Sequence, residues 1–441
     1  MTPMVEVFFD LSPGSEFFTI EDPVFGELDG AYGLAGGDGV PGDIASHAHS
    51  LSIRRGRTFE LDDFPAGTCV VELRNYDARF LPAGLDTDFL EAFGADAVRP
   101  GRRVRVSLEG VTIFDGTVED WDFRYEADGR VSASFVAEDV LAALARTTFT
   151  DWTTTGQLAG VRVSAVLDRS EVSFGAQRDI DDGVSTLQSD NVSWGSNVKN
   201  YLDLVARSDL GRLFASRSGV LTFRDRRTLA GATPAVTIGS GRLLDSLTTE
   251  DGVLLTTEDG EVLSFTSDDE IVGLPIRAID VQYGSEVLYT RVQVDREGGI
   301  AQTRSDATAI GSYGTRTLPI GELLLDSDDE SDDMAAFLLS AYSAPRFRFR
   351  SVSVILDGLD QVDRAALLSL DLGSVVSVIW TPVGVESAAQ QTLVVEGVGI
   401  TSDVDGLSVM SLELSPLLQE SVFVVGDSIL GALDNGAPLA F

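Results

Sequence analysis

Two distant stretches of the chain carry the same order of strand signals. "GRRVRVSL" from Gly101 leads to a strand at Gly116, an Asp128-Gly129 turn and a strand ending near Val136. "GSVVSVIW" from Gly373 leads to "EGVGIT" at Gly397, an Asp405-Gly406 turn and "LSVMSLELS". The spacings differ; the order does not. Asp-Gly between alternating apolar runs is a strong hairpin signal, because the tight turn needs positive φ at its central positions. A chain patterned this way is expected to be mainly β with an α+β middle region, its two related antiparallel β-barrel domains flanking that middle. With 441 residues it has room for about three domains.

Residues 1–46 contain no Lys or Arg and a glycine-rich run from Gly26 to Gly42. Strand-like pieces at Val5 to Leu11 and Phe17 to Ile20 make this either an extended arm or a loose tail. Residues 47–145 read as the first barrel domain, with at least five strands between Leu51 and Glu138. Cys69, Val71 and Leu73 alternate there with Val70, Glu72 and Arg74, and Val104, Val106 and Leu108 with Arg103, Arg105 and Ser107. An Ala- and Leu-rich helix is expected at Glu138 to Arg146. Residues 146–270 read as a mixed α+β domain. In it Val198, Tyr201, Leu202 and Val205 mark one face of a helix starting near Asn197, and a hairpin turns at Ser218-Gly219. Residues 271–420 read as the second barrel domain with an inserted helix near 334–342. The acidic run Asp329 to Asp333 precedes that helix, where carboxylates suit its positive end. The apolar tail 421–441, "SVFVVGDSILGALDNGAPLAF", is a candidate for contact with another chain.

Charge and residue usage narrow the function. With 32 Lys+Arg against 70 Asp+Glu the formal charge is −38, so binding nucleic acid by neutralising phosphates is nearly excluded. The only lysine is Lys199, a pattern that coding bias or salt adaptation would each produce. The first positive side chain is Arg54 and no basic stretch precedes an apolar run, so no signal peptide is expected. The apolar run from Val422 to Leu433 is interrupted by Gly426, Asp427 and Gly431, and no membrane insertion is expected. His47 and His49 are the only imidazoles, and no nucleophile motif accompanies them. The single cysteine, Cys69, lies mid-strand among apolar neighbours and reads as core. No phosphate-binding glycine motif is present, and the acidic run lacks the spacing of a calcium loop. Catalytic, cofactor and metal residues are therefore all expected to be absent. Two arginine clusters stand out, Arg54, Arg55, Arg57 and Arg346, Arg348, Arg350, each able to hold carboxylates of its own chain or of a neighbouring subunit.

The order of segments resembles a known family. "SLSIRRGR" from Ser50, "AGTCVVELRNYDARFLP" from Ala66, "RPGRRVRVSL" from Arg99 and "FDGTVEDWDF" from Phe114 resemble the opening barrel of siphophage minor tail proteins of the tail-hub type. "YLDLVARSDLGRLFASRSGVLTFRDR" looks like that family's middle domain, and "APRFRFRSVSVILDG" with "LDLGSVVSV" looks like its second barrel. The resemblance spans roughly Ser50 to Leu414. It implies a non-enzymatic hub at the virion tail tip, similar to the baseplate hub of contractile tails. Three copies would form a homotrimeric ring of six similar units, joining the sixfold tail tube or distal tail protein to a threefold tip. It implies as partners the distal tail protein, the tape measure protein and other tail-tip proteins, with DNA passing through but not bound specifically. The competing reading is a β-rich virion adhesin for host-surface carbohydrate. Trp121, Trp152, Trp194 and Trp380 are scattered and suggest no stacking platform for sugars. An acidic hydrolase using a carboxylate pair is a third reading that no motif supports.

Overall fold

A computed structural model describes residues 5–10, 41–44, 47–76, 80, 98–229, 232–239, 242–246, 264–271, 273–382, 388–403 and 408–417. The alternating patterns form β1 (Val5–Asp10), β3 (Ala48–Gly56), β4 (Thr68–Arg74), β5 (Arg103–Leu108), β6 (Val111–Tyr125) and β7 (Val131–Glu138), and a further short strand, β2 (Pro41–Asp43), forms at the end of the glycine-rich run, where the sequence places a loop. After the middle region come β8 (Val236–Gly239), β9 (Ala278–Tyr283), β10 (Phe347–Ile355), β11 (Val375–Trp380), β12 (Ala389–Asp403) and β13 (Val409–Pro416). All thirteen belong to one sheet, ordered β9-β10-β13-β12-β3-β4-β7-β6-β5-β1-β2, with β11 on β12 and β8 on β11.

The duplication seen in the sequence is present in the topology. The first half runs β3-β4-β7-β6-β5 and the second β9-β10-β13-β12-β11, the same order; the strands beyond differ in direction, β1 lying antiparallel to β5 and β8 parallel to β11. One step along the chain takes Thr117 to Val394, Val118 to Val395 and Ala137 to Leu414, and each pair occupies the same register position. Gly101 and Gly373, both at φ +82, donate to the carbonyls of Val118 and Val395 respectively. β6 and β12 each carry 15 residues and a bulge at the matching place, between Val118 and Asp120 and between Val395 and Gly397. A bulge bends its strand; β6 pairs with β5 and β7, and β12 with β11, β13 and β3.

Closed barrels, expected from the sequence, are not what the described residues form. No strand pair among them closes either half. Instead Gly397 to Asp403 of β12 pair antiparallel with Gly56 to Ser50 of β3, which fuses the halves into one open sheet. A single apolar core runs beneath both, taking in Val71 and Phe135 from the first half and Val352 and Leu412 from the second. Each such side chain, fully buried, contributes about 1.5–3 kcal/mol.

The middle region stands on its own core. Helix α1 (Val140–Arg146) is capped by Asp139, whose side chain accepts the Leu141 amide. α2 (Ala159–Leu167) packs against α3 (Val198–Asp209), which Asn197 caps and which buries Val198, Tyr201, Leu202 and Val205 as their spacing requires. The hairpin of 212–215 with 221–224 turns at Gly219, φ +78. Beyond a short α4 (Ala307–Tyr313), the inserted helix α5 (Asp328–Tyr342) covers a separate small sheet in which 291–296 lies between 302–305 and 317–323. α5 begins earlier than the sequence suggests. Ser327 is its cap, so Asp328, Asp329 and Glu330 lie inside the first turn, where the helix dipole and the free amides favour them. α6 (Gln361–Leu368) joins β10 to β11. No described helix is long and apolar enough to cross a membrane.

Within the expected N-terminal arm, Val5–Asp10 is a strand paired with β5, and Val7 is fully buried. The expected strand at Phe17 to Ile20 and the tail 421–441 lie outside the described residues.

Candidate functional site

The three parts of the chain meet at the β12 bulge. Glu396 is the bulged residue, and its side chain is 1% exposed. It accepts Arg57 Nε at 2.8 Å, Arg212 Nη2 at 3.3 Å and Ser415 Oγ at 2.7 Å. One carboxylate thereby ties the segment after β3 and the middle region to the second half. Burial alone would raise its pKa, but the two guanidiniums and the Ser415 hydroxyl hold it down at about 2. Arg57 also donates to the Asp62 carbonyl at 2.6 Å and stacks over Phe64.

Two more buried contacts flank this junction. Arg55 donates to Asp371 at 2.6 Å, and the same carboxylate accepts the Arg217 amide at 2.8 Å. Arg348 pairs with Glu60 at 2.5 Å beside the Tyr342 ring. Of the sequence-flagged clusters, Arg55, Arg57 and Arg348 thus hold carboxylates of their own chain. Arg350 lies 3.7 Å from Glu286 and over Phe59, Arg54 donates to Thr58 Oγ1, and Arg346 is exposed.

The matching position in the first half is Glu119. It sits at the same bulge, yet its side chain is 42% exposed and its salt-bridge partner is Arg146 at 2.8 Å. The two glutamates occupy one topological place with opposite degrees of burial. Of Glu396 and its partners only Arg57 was singled out from the sequence; Glu396, Arg212 and Ser415 were not. The available signal was the paired strings "TVEDW" and "VVEGV", which align once the two halves are laid in register.

Beside the junction lies a cavity of about 320 Å³, lined by Arg57, Asp63, Phe64, Asp203, Arg207 and Tyr342 among others. Several of its charges are paired, as in Arg207 with Asp63 at 2.6 Å, and its described lining contains no histidine, cysteine or lysine. Nothing there pairs a nucleophile with a base. Lys199 places its ammonium 2.5 and 2.6 Å from the two oxygens of Asp203, whose carboxyl burial still pushes up to about 6. Burial likewise lifts Asp139 to about 6 although it accepts the Gly67 and Leu141 amides. Asp209, accepting the Val184 and Ser185 amides, is lifted to about 6 by the same cause.

His47 packs edge-on against Phe80, and His49 Nδ1 is 3.5 Å from Arg74. Cys69 is buried in the core of the first half. Among the described residues no group of three or more His, Cys, Asp or Glu could hold a metal ion. In the acidic run Asp328 pairs with Arg296 and Asp332 with Arg304. Trp121 stacks on Phe80 and Phe123, Trp152 packs on Phe149 and Tyr201 beneath Arg169, and Trp380 stacks on Phe347. Trp194 is 77% exposed. The four do not share a surface stack.

No protein-family model matches the chain, and no curated protein does. Solved structures do match. A 43 kDa tail protein of prophage MuSo2 from Shewanella oneidensis is 13% identical over 94% of this chain and 99% of its own, with a TM-score of 0.56. A tail protein from Neisseria meningitidis MC58 is 12% identical over 95% of this chain and 98% of its own, with a TM-score of 0.57. Both likenesses run essentially end to end, so the chain has the fold of these phage tail proteins.

Proposed function

We propose that this chain is a structural hub subunit of a phage tail, working by assembly with no catalytic step. The observation that carries the reading is the pair of half-sheets with identical strand order, fused in a fold that matches phage tail proteins along their whole length. A duplicated unit lets few copies present many similar faces around an axis. In the proposal three copies give six half-sheets, which meet a sixfold tail tube or distal tail protein on one side and a threefold tip on the other. The five-part division of the chain belongs to this reading, with each half a barrel-like unit and the middle region outside the ring. The siphovirus-type tail tip, the tape measure protein and other tip proteins are the proposed surroundings.

The net charge of −38 gives the lumen of such a ring a role. Acids facing it repel passing DNA phosphates over about 10 Å at ordinary salt. Gold-labelled antibody against the chain, applied to intact virions, tests the placement. Label at the axial end of the tail supports the hub. Label on peripheral fibres refutes it and favours host-surface binding.

A further inference from the structure

The cavity beside the Glu396 junction has the make-up of a ligand site. It lies where the segment after β3, the end of α3, the strand 317–323 and α5 converge. Its volume of about 320 Å³ is at the small end of the range for ligand pockets, about 300–1,000 Å³. Phe64, Leu210, Leu318, Ile320 and Phe337 supply an apolar wall. Leu210 reaches that wall from the left-handed region, at φ +54, where glycine is the usual residue. Strain of that kind collects at ligand sites.

Two donors on the lining have no acceptor. The Tyr342 hydroxyl, on a residue 1% exposed, is buried without a hydrogen-bond partner, and Arg212 Nε is buried without one too. Folded chains seldom leave such groups unmet. Burial pushes the Tyr342 phenol up, with Glu60 and Glu396 adding to it, so it stays an O–H donor at neutral pH. The charges point to the same kind of ligand. Arg207 is matched by Asp63, Asp203 by Lys199 and Glu60 by Arg348, while Asp62 is exposed. Arg57 and Arg212, by contrast, share the single carboxylate of Glu396. The junction therefore holds one guanidinium more than it holds carboxylates.

We infer that this cavity binds a small monocarboxylate with an apolar body, its oxygens accepting from the Tyr342 hydroxyl and Arg212 Nε and its body lying against Phe64, Ile320 and Phe337. Two unmet donors call for an acceptor, and the surplus guanidinium calls for a charged one. The apolar wall suits a carbon chain and not a sugar, and one surplus charge suits a carboxylate and not a dianionic phosphate. A carboxylate bound there gives the Arg57–Glu396–Arg212 set its second counter-charge. It also braces the middle region against the fused sheet, because the cavity wall draws on both. The site needs only one copy of the chain, so it stands independently of the hub reading.

Calorimetric titration of the full-length chain with octanoate, octanol and octylamine tests the site. Octanoate is expected to saturate it with a dissociation constant of about 1 mM or tighter. Octanol, which lacks the charge, should bind roughly tenfold more weakly, and octylamine not at all. Tyr342→Phe removes only the unpartnered hydroxyl, so the variant should melt no lower than the wild type yet bind octanoate roughly tenfold more weakly. Ile320→Trp fills the cavity from a half-buried position and should abolish binding. The absence of saturable octanoate binding overturns the proposal, as does equal binding of the three amphiphiles. A Tyr342→Phe chain that binds octanoate as the wild type does, or that melts below it, overturns the role given to the hydroxyl and the site with it.

Discussion

Replacing Glu396 by Gln keeps the shape of the junction and removes its charge. In the wild type the side chain is 1% exposed and faces Arg57 and Arg212, themselves 10% and 15% exposed. The variant leaves two largely desolvated guanidiniums without a counter-ion, and breaking a buried pair in this way costs about 3–5 kcal/mol. The depression of the carboxyl from 4.5 to about 2 gives a similar figure, about 3 kcal/mol. Glu119→Gln is the matched control. It removes the residue at the same bulge in the first half, but there the pair is exposed and contributes below about 1 kcal/mol. By scanning calorimetry Glu396→Gln should lower the melting temperature of the sheet by roughly 6–12 °C, and Glu119→Gln by about 3 °C or less. The sign of the pH dependence follows from the lowered pKa. The contribution of Glu396 is fully present above pH 4.5 and fades as pH falls toward 2, so wild type and variant should converge in acid. Equal losses from the two substitutions, or a Glu396→Gln deficit that persists unchanged at pH 3, would refute the reasoning.

Other consequences follow from the same geometry. Asp139, Asp203 and Asp209 are raised from 3.8 to about 6, so the stability they favour is present below pH 3.8 and lost as pH rises through 6. Melting temperature should fall from pH 5 to pH 7, and Asp209→Asn should flatten that slope. Gly56→Ala should disrupt the β3–β12 junction, because its φ is +89 and a Cβ would lie 2.2 Å from the Glu396 carbonyl oxygen. Gly101→Ala, at φ +82 in open space, should cost only about 1–2 kcal/mol, and urea unfolding of the pair would expose a wrong ranking. Arg162 is fully buried and donates to the Tyr201 hydroxyl and the carbonyls of Thr155 and Gln188. Arg162→Lys should lose about 2–4 kcal/mol and loosen the middle region first, visible as faster amide exchange in α2 and α3.

Much of the fold is legible in local pattern. Alternation at Cys69–Arg74, the i, i+3, i+4 face of α3 and the turn at Ser218-Gly219 each follow from a few neighbouring residues. The repeated order of "GRRVRVSL" and "GSVVSVIW" with their Asp-Gly turns points to the duplication. What the sequence conceals is long-range. Whether β3 closes its own half or joins β12 depends on a bulge at Glu396, and a bulge changes register without changing composition. The destination of Arg55, Arg57 and Arg348 was open for the same reason. Their partners Asp371, Glu396 and Glu60 are three acids among 70, and only the fused sheet brings them near. The acidic run before Met334 misled at the boundary of α5, since residues that cap a helix from outside and residues that suit its first turn are the same types.

The most direct test of the hub account is a cryo-electron microscopy reconstruction of the tail end of the virion. The account predicts three copies of this chain around the axis below a sixfold tube, with six half-sheets in alternation. A density that places the chain off the axis, or on it without threefold symmetry, would contradict it.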